Sequence, residues 1–302
     1  MRDLILFLSR RRALRRWMED SPAAERLARR FVAGGTAAEA FAEARRLNAE
    51  GIRVTLDRLG ESVTSLAEAA EARDAYLKLM GALVDSGIQG NISLKLTQLG
   101  LDYSYDACRA NMEELTAAAA RMRTFVRIDM ESSAYTDRTL ALARGLHGEH
   151  RSVGVVIQAC LRRSRRDVEQ LCREGIRVRL CKGAYLEPPS VAFPHKREVD
   201  GNYMELMKLL LDGGEYPAIA THDEKMLTSA KEHVARRGIS PDAFEFQMLY
   251  GIRRDLQRKL VADGYRLRLY VPYGHAWYPY YMRRLAERPA NVWFLMRNLR
   301  KG

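Results

Sequence analysis

A (β/α)8 barrel of the TIM type is the fold class that this chain predicts, on three observations. Eight short apolar runs alternate with longer amphipathic segments after residue 50, the pattern of strands joined by helical crossovers into a parallel sheet. About eight such units in roughly 250 residues match the size of one barrel. No Gly-x-Gly-x-x-Gly follows the first strand-like run, which weakens the competing doubly wound sheet.

The elements follow in order. The first fifty residues are rich in Ala, Arg, Leu and Glu and read as helical, with Gly34-Gly35 as a break. They form an expected N-terminal helical segment, 1–50, packed on or near a catalytic barrel of 51–302. Strands are predicted at 52–59, 92–96, 125–130, 153–159, 176–181, 218–221, 244–249 and 267–271. Helices are predicted between them, at 65–86, 105–123, 136–146, 164–174, 202–211 and 223–237. A barrel carries its chemistry at the C-terminal ends of its strands, and polar residues gather there. They are Glu61, Lys95, Asp129-Met130-Glu131, Gln158, Arg179, Lys182-Gly183-Ala184-Tyr185, Thr221-His222-Asp223 and Tyr270.

Composition bounds the function more loosely. The chain has 302 residues, 47% hydrophobic and 29% charged, enough for a real core and a solvated surface. A formal net charge of +12 suits acidic substrates, an anionic surface or nucleic acid. Cys108, Cys160, Cys172 and Cys181 show no Cys-x-x-Cys spacing and read as reduced thiols. No apolar run approaches the ~20 residues of a membrane span, and the start of the chain lacks a signal-peptide core. The expected location is cytoplasmic.

One helix stands out. Tyr280, Arg283, Arg284 and Glu287 fall at i, i+3, i+4 and i+7 and share a face. Pro279 suits the first helical turn and Arg288-Pro289 closes the segment. Adjacent guanidinium groups can grip one small carboxylate with several charge-assisted hydrogen bonds.

These segments carry a resemblance. Asn91–Lys95-Leu96, Arg127-Ile128-Asp129-Met130-Glu131, Arg179–Tyr185, Ala220-Thr221-His222 and Tyr280–Glu287 resemble the proline dehydrogenase family in its short bacterial form, and the proline dehydrogenase domain of proline utilization A. The resemblance implies a flavoenzyme with noncovalent FAD that oxidises L-proline to Δ1-pyrroline-5-carboxylate by hydride transfer to flavin N5. A quinone then reoxidises the flavin, as the first step of proline catabolism to glutamate. It further implies a final helix lying over the active site, and a separate pyrroline-5-carboxylate dehydrogenase downstream.

By that resemblance Lys95, Arg283 and Arg284 clamp the substrate carboxylate, with Glu287 balancing charge. Tyr270 and Tyr280 wall the proline ring. Asp129 lies in the active site, where it orients Lys95 and offsets the cations, and Arg179 lies near flavin N5. Met130, Gln158, Lys182, Gly183, Ala184, Thr221 and His222 contact FAD. Two positions depart from the family: Asp223 stands where Asn is frequent, and Leu186 where an aromatic is frequent.

His147-Gly148-Glu149-His150 carries ligand-type residues but reads as a loop at the wrong barrel end, so no metal is expected. Lys182 after a strand suits a lysine-dependent barrel lyase or aldolase acting on a small carboxylate without flavin, the alternative enzyme class. Arg10-Arg11-Arg12, Arg15 and Arg16, with Leu4, Phe7, Leu8, Leu14 and Trp17, form a basic amphipathic segment. It is a candidate for transient membrane-surface contact by a peripheral protein. No nucleic-acid module is present, and no nucleic-acid partner is expected.

Overall fold

The computed structural model describes Met18, Ser21, Ala24 and residues 28–60 and 63–287, with the backbone alone for 283–287. The elements run α1 (Ala37–Ala49), β1 (Arg53–Arg58), α2 (Leu66–Asp85), β2 (Gly90–Leu94), α3 (Tyr105–Arg121) and β3 (Val126–Ile128). Then come α4 (Thr136–His150), β4 (Val153–Gln158), α5 (Ser164–Arg173), β5 (Arg177–Cys181), α6 (Lys196–Gly213) and β6 (Ala218–Ala220). The last are α7 (Glu224–Arg237), β7 (Glu245–Leu249), α8 (Arg254–Ala262), β8 (Leu267–Tyr273) and α9 (Tyr278–Glu287). All eight strands pair in parallel, in sequence order, and β1 closes on β8. The predicted barrel is the observed one.

Period two explains both faces of the sheet. Val54, Leu56, Ile92, Leu94, Val126, Ile128, Leu180 and Phe246 are fully buried and belong to the main core. The alternate positions are polar: Thr55 and Asp57, Asn91 and Ser93, Arg127 and Asp129, Glu245 and Gln247, Arg268 and Tyr270. Arg268 Nη1 reaches Asn91 Oδ1 at 3.0 Å, from β8 to β2 across the intervening β1, so this set faces the barrel interior.

Helix starts follow local chemistry. Thr36 and Glu39 form a capping box before α1. Ser65, Ser104 and Asp223 accept backbone N–H bonds at the starts of α2, α3 and α7.

Several predicted boundaries shift. His147–His150 lies inside α4, not in a loop, because Gly145 and Gly148 face open space where a helix tolerates them. Helix α6 begins six residues before the predicted 202. Glu198 accepts the His195 N–H at 3.2 Å, and Lys196 pairs with Asp200 one turn on. Strand β2 stops at Leu94, and Leu96–Leu99 turns into a 3-10 helix. Strand β8 runs two residues past the predicted end, through Pro272 to Tyr273. Helix α8 has no counterpart among the predicted helices.

A second apolar cluster covers part of the barrel's C-terminal end. It joins Ala28, Phe31 and Val32 to Trp277, Tyr278, Tyr280, Tyr281 and Met282, with Leu59, Leu249 and Tyr270 from the strand ends. Ala33 N donates to Pro272 O and Gly274 N to Gly34 O, both at 2.9 Å. The leader and α9 therefore pack on each other at the mouth that carries the polar strand ends.

Candidate active site

Asp129 immediately follows β3, and three side chains converge on its carboxylate. Oδ1 accepts from Ser93 Oγ at 2.6 Å and from Arg179 Nη1 at 2.8 Å; Oδ2 accepts from the Tyr270 hydroxyl at 2.7 Å. Strands β2, β5 and β8 thus meet β3 at one carboxylate. Burial, then the charge of Asp129, pushes the Tyr270 phenol well above its usual range, so it stays a donor. The Tyr270 ring also lies 5.3 Å from the Arg179 guanidinium carbon.

Arg179 is 6% exposed. Its Nε donates to Gln247 Oε1 at 2.6 Å and its Nη1 to Asp129. Buried Nη2 has no partner among the described residues. An N–H left this way costs about 1–3 kcal/mol, so the geometry leaves one fixed cationic donor waiting for an acceptor.

Beneath lies a second polar layer. Glu245 Oε1 accepts from Gln247 Nε2 at 2.5 Å and from Arg268 Nε at 2.7 Å. Burial would raise the Glu245 carboxyl, but the Arg268 guanidinium, with help from Gln247 and Arg127, holds it down at about 2. Arg127, fully buried, donates to Val155 O and Arg177 O. Burial and its cationic neighbour Arg179 push its guanidinium well below the usual range. Lys95 Nζ lies 3.8 Å from Asp57 Oδ1.

Residues expected at the cofactor form a second group. Lys182 Nζ donates to Asp200 Oδ1 at 2.6 Å and Asp223 Oδ2 at 2.9 Å. Burial raises both carboxyls, yet the hydrogen-bonded Lys182 leaves them below their ordinary values. Gly183 has φ +109°, and a Cβ there would meet Cys160 Sγ at 2.3 Å. Gly183, Ala184, Tyr185 and Leu186 form an exposed strip. Gln158 Nε2 donates to Glu131 O at 2.9 Å. His222 Nε2 accepts the Leu249 N–H at 2.9 Å, and Thr221 Oγ1 accepts that of Asp223. Met130 is buried beside Asp129. Burial pushes the Cys160 and Cys181 thiols up to about 11 and about 12, so neither is a thiolate nucleophile.

The structure brings Lys95, Asp129, Arg179 and Tyr270 to one mouth and places buried Tyr280 in the cluster above it. Glu61, and the side chains of Arg283, Arg284 and Glu287, lie outside the described residues. Asp57, Ser93, Glu245, Gln247 and Arg268 were missed from the sequence. For Ser93 and Arg268 the signal was a polar residue two positions before a chosen one, Lys95 and Tyr270; Asp57, Glu245 and Gln247 had no such marker. No cluster of three or more His, Cys, Asp or Glu with metal-binding geometry occurs among the described residues.

The profile of the family described as "Proline dehydrogenase" matches residues 40–297. "Proline dehydrogenase 2" of Bacillus subtilis (strain 168) is 39% identical over 300 residues, covering 99% of both chains. "Proline dehydrogenase" of Deinococcus radiodurans is 43% identical over 281 residues, covering 91% of both. Among solved structures, proline utilization A from Bdellovibrio bacteriovorus, inactivated by N-propargylglycine, matches with TM-score 0.82 and 27% identity. That match covers 87% of this chain and 32% of the longer protein. The proline utilization A of Bradyrhizobium japonicum, at 22% identity and TM-score 0.73, shares the fold. A family profile over most of the chain and relatives about 40% identical along its length lead to one conclusion: the chain belongs to the proline dehydrogenase family.

Proposed function

We propose that the chain oxidises L-proline to Δ1-pyrroline-5-carboxylate with noncovalently held FAD, and that a quinone takes the electrons onward. The observation that carries this reading is the Asp129–Arg179–Tyr270 constellation with its buried Arg179 Nη2, which has no partner among the described residues. A fixed cation with a spare donor suits an acceptor that gains negative charge on reduction. The exposed strip Gly183–Leu186 beside Lys182 suits a flat cofactor with an anionic diphosphate, so the residues fit the group. When bound, FAD supplies the two-electron acceptor for the hydride that leaves the proline ring carbon.

The chain's own residues bind and orient. Lys95, Arg283 and Arg284 hold the substrate carboxylate, Glu287 balances their charge, and the Tyr270 and Tyr280 rings flank the pyrrolidine. Asp129 fixes Arg179 and Tyr270, and the proline nitrogen releases its proton to water. Met130, Gln158, Lys182, Gly183, Ala184, Thr221 and His222 form the cofactor cradle. We divide the chain at residue 50, with the N-terminal helical segment 1–50 packed on or near the barrel. The product passes to a separate pyrroline-5-carboxylate dehydrogenase. The basic segment that would touch a membrane lies in 1–17, outside the described residues. No described helix is long and apolar enough to cross a membrane.

A lysine-dependent lyase is disfavoured by Lys182 itself. An ammonium that donates to two carboxylates offers no lone pair to a carbonyl carbon. The test is product formation from L-proline with a soluble quinone, before and after FAD is stripped and restored. Imine product that follows FAD occupancy supports the reading; turnover of a small carboxylate by the FAD-free protein overturns it.

A further inference from the structure

We propose that Gln247 is a positioning residue of this site: it holds the Arg179 guanidinium in line from below, with its own amide oriented by Glu245. The inference rests on the proposed role of Arg179 beside the cofactor and extends it to residues not expected in the site.

The geometry leaves the amide a single orientation. Glu245, kept ionised beside Arg268, can only accept hydrogen bonds. Gln247 must therefore turn its NH2 toward Glu245, at 2.5 Å, which leaves its carbonyl oxygen facing Arg179 Nε, at 2.6 Å. Glu245 is in turn fixed by Arg268 Nε, and Arg268 Nη1 is tied to Val54 O and Asn91 Oδ1. Glu245 and Gln247 sit two positions apart on β7 and so share the interior face. Gln247, Glu245, Arg268 and Arg179 are 3%, 1%, 6% and 6% exposed, so water does not compete for these bonds. The line runs from the walls of β1 and β2 through β8 and β7 to Arg179 on β5.

With Nε bound to Gln247 and Nη1 to Asp129, the planar guanidinium loses its freedom to rotate, and the position of Nη2 is fixed. Losing the Gln247 acceptor frees Nε and lets the group tilt about the Asp129 contact. Buried polar chains of this kind act as units, so the effects of their members are not additive.

The test is a double-mutant cycle between Gln247→Leu and Arg179→Met, with Gln247→Met as a second variant should the first fold poorly. The limiting rate of anaerobic reduction by L-proline should fall about 10- to 100-fold in Q247L, with apparent KM within about threefold. R179M should fall further, and Q247L added to R179M should cost no more. The midpoint potential of the bound flavin should shift in Q247L but not between R179M and R179M/Q247L. In the FAD-free protein, NMR should show a protected Arg179 Nε–H, identified by its loss in R179M, that exchanges rapidly in Q247L and Q247M. Multiplying losses in the double mutant, or an unchanged Nε–H, would overturn the proposal. A wild-type protein that proline does not reduce would instead sink the functional reading beneath it.

Discussion

The Tyr270 hydroxyl donates to Asp129 Oδ2 at 2.7 Å while the other oxygen of that carboxylate accepts from Arg179. One acidic group thus ties the last strand to the third and fifth. The phenol is held protonated by burial and by the charge it serves. Tyr270→Phe keeps the ring over Arg179 and deletes this donor. A hydrogen bond to a charged group is worth about 1.5–3 kcal/mol, so the reduction rate should drop about tenfold or more. Because the phenol titrates far above the working range, the alkaline limb of the pH–rate profile should not move. A limb that disappears in Y270F would contradict this.

Lys182 is shared by Asp200 and Asp223. Asp223→Asn removes one negative charge but keeps an N-cap for α7, since Asn caps as well as Asp. More of the lysine charge then faces an anionic diphosphate. The FAD dissociation constant should fall several-fold, with Tm of the FAD-free protein nearly unchanged. Fluorescence titration of the apoprotein with FAD checks it.

Gly251 has φ +75°, and a Cβ there would come within 1.7 Å of Arg30 O. Gly251→Ala forces the leader off the loop between β7 and α8. Amide exchange should quicken at Phe31 and Val32, whose side chains pack on α9, while the β1–β8 ladder stays protected. Mass-spectrometric hydrogen exchange reads both; equal protection in the variant would show that the leader is not held there.

Glu245 sets an acid limit on stability. Its folded pKa, about 2, lies below the unfolded value of roughly 4.3. A depressed carboxyl contributes stability that is complete above the unfolded pKa and lost as pH falls through the folded one. Between about pH 4.3 and 2 the wild type should lose about 3 kcal/mol that Glu245→Gln does not lose. Urea unfolding across that range, compared for the two proteins, measures the difference.

The barrel was legible because eight β-branched and Leu-rich runs alternate with amphipathic segments, and polar residues mark the strand ends. The interior was not. Arg127, Gln247 and Arg268 sit inside strands and Glu245 opens one, where sequence reading expects apolar core, and only closure of the sheet brings them into bonding distance across it. The bonds of Asp129 to Ser93, Arg179 and Tyr270 were hidden for the same reason, since their strands lie far apart in the chain. Helix α4 ran past its predicted end for a local reason. Gly145 and Gly148 sit on its solvent side, where a missing Cβ costs packing nothing.

The most direct test of the account is the visible spectrum of the FAD-loaded protein under anaerobic conditions, before and after L-proline. Flavin absorption that bleaches with L-proline in the wild type, and far more slowly in Arg179→Met, is the predicted result. Flavin absorption that persists with L-proline in the wild type would contradict it.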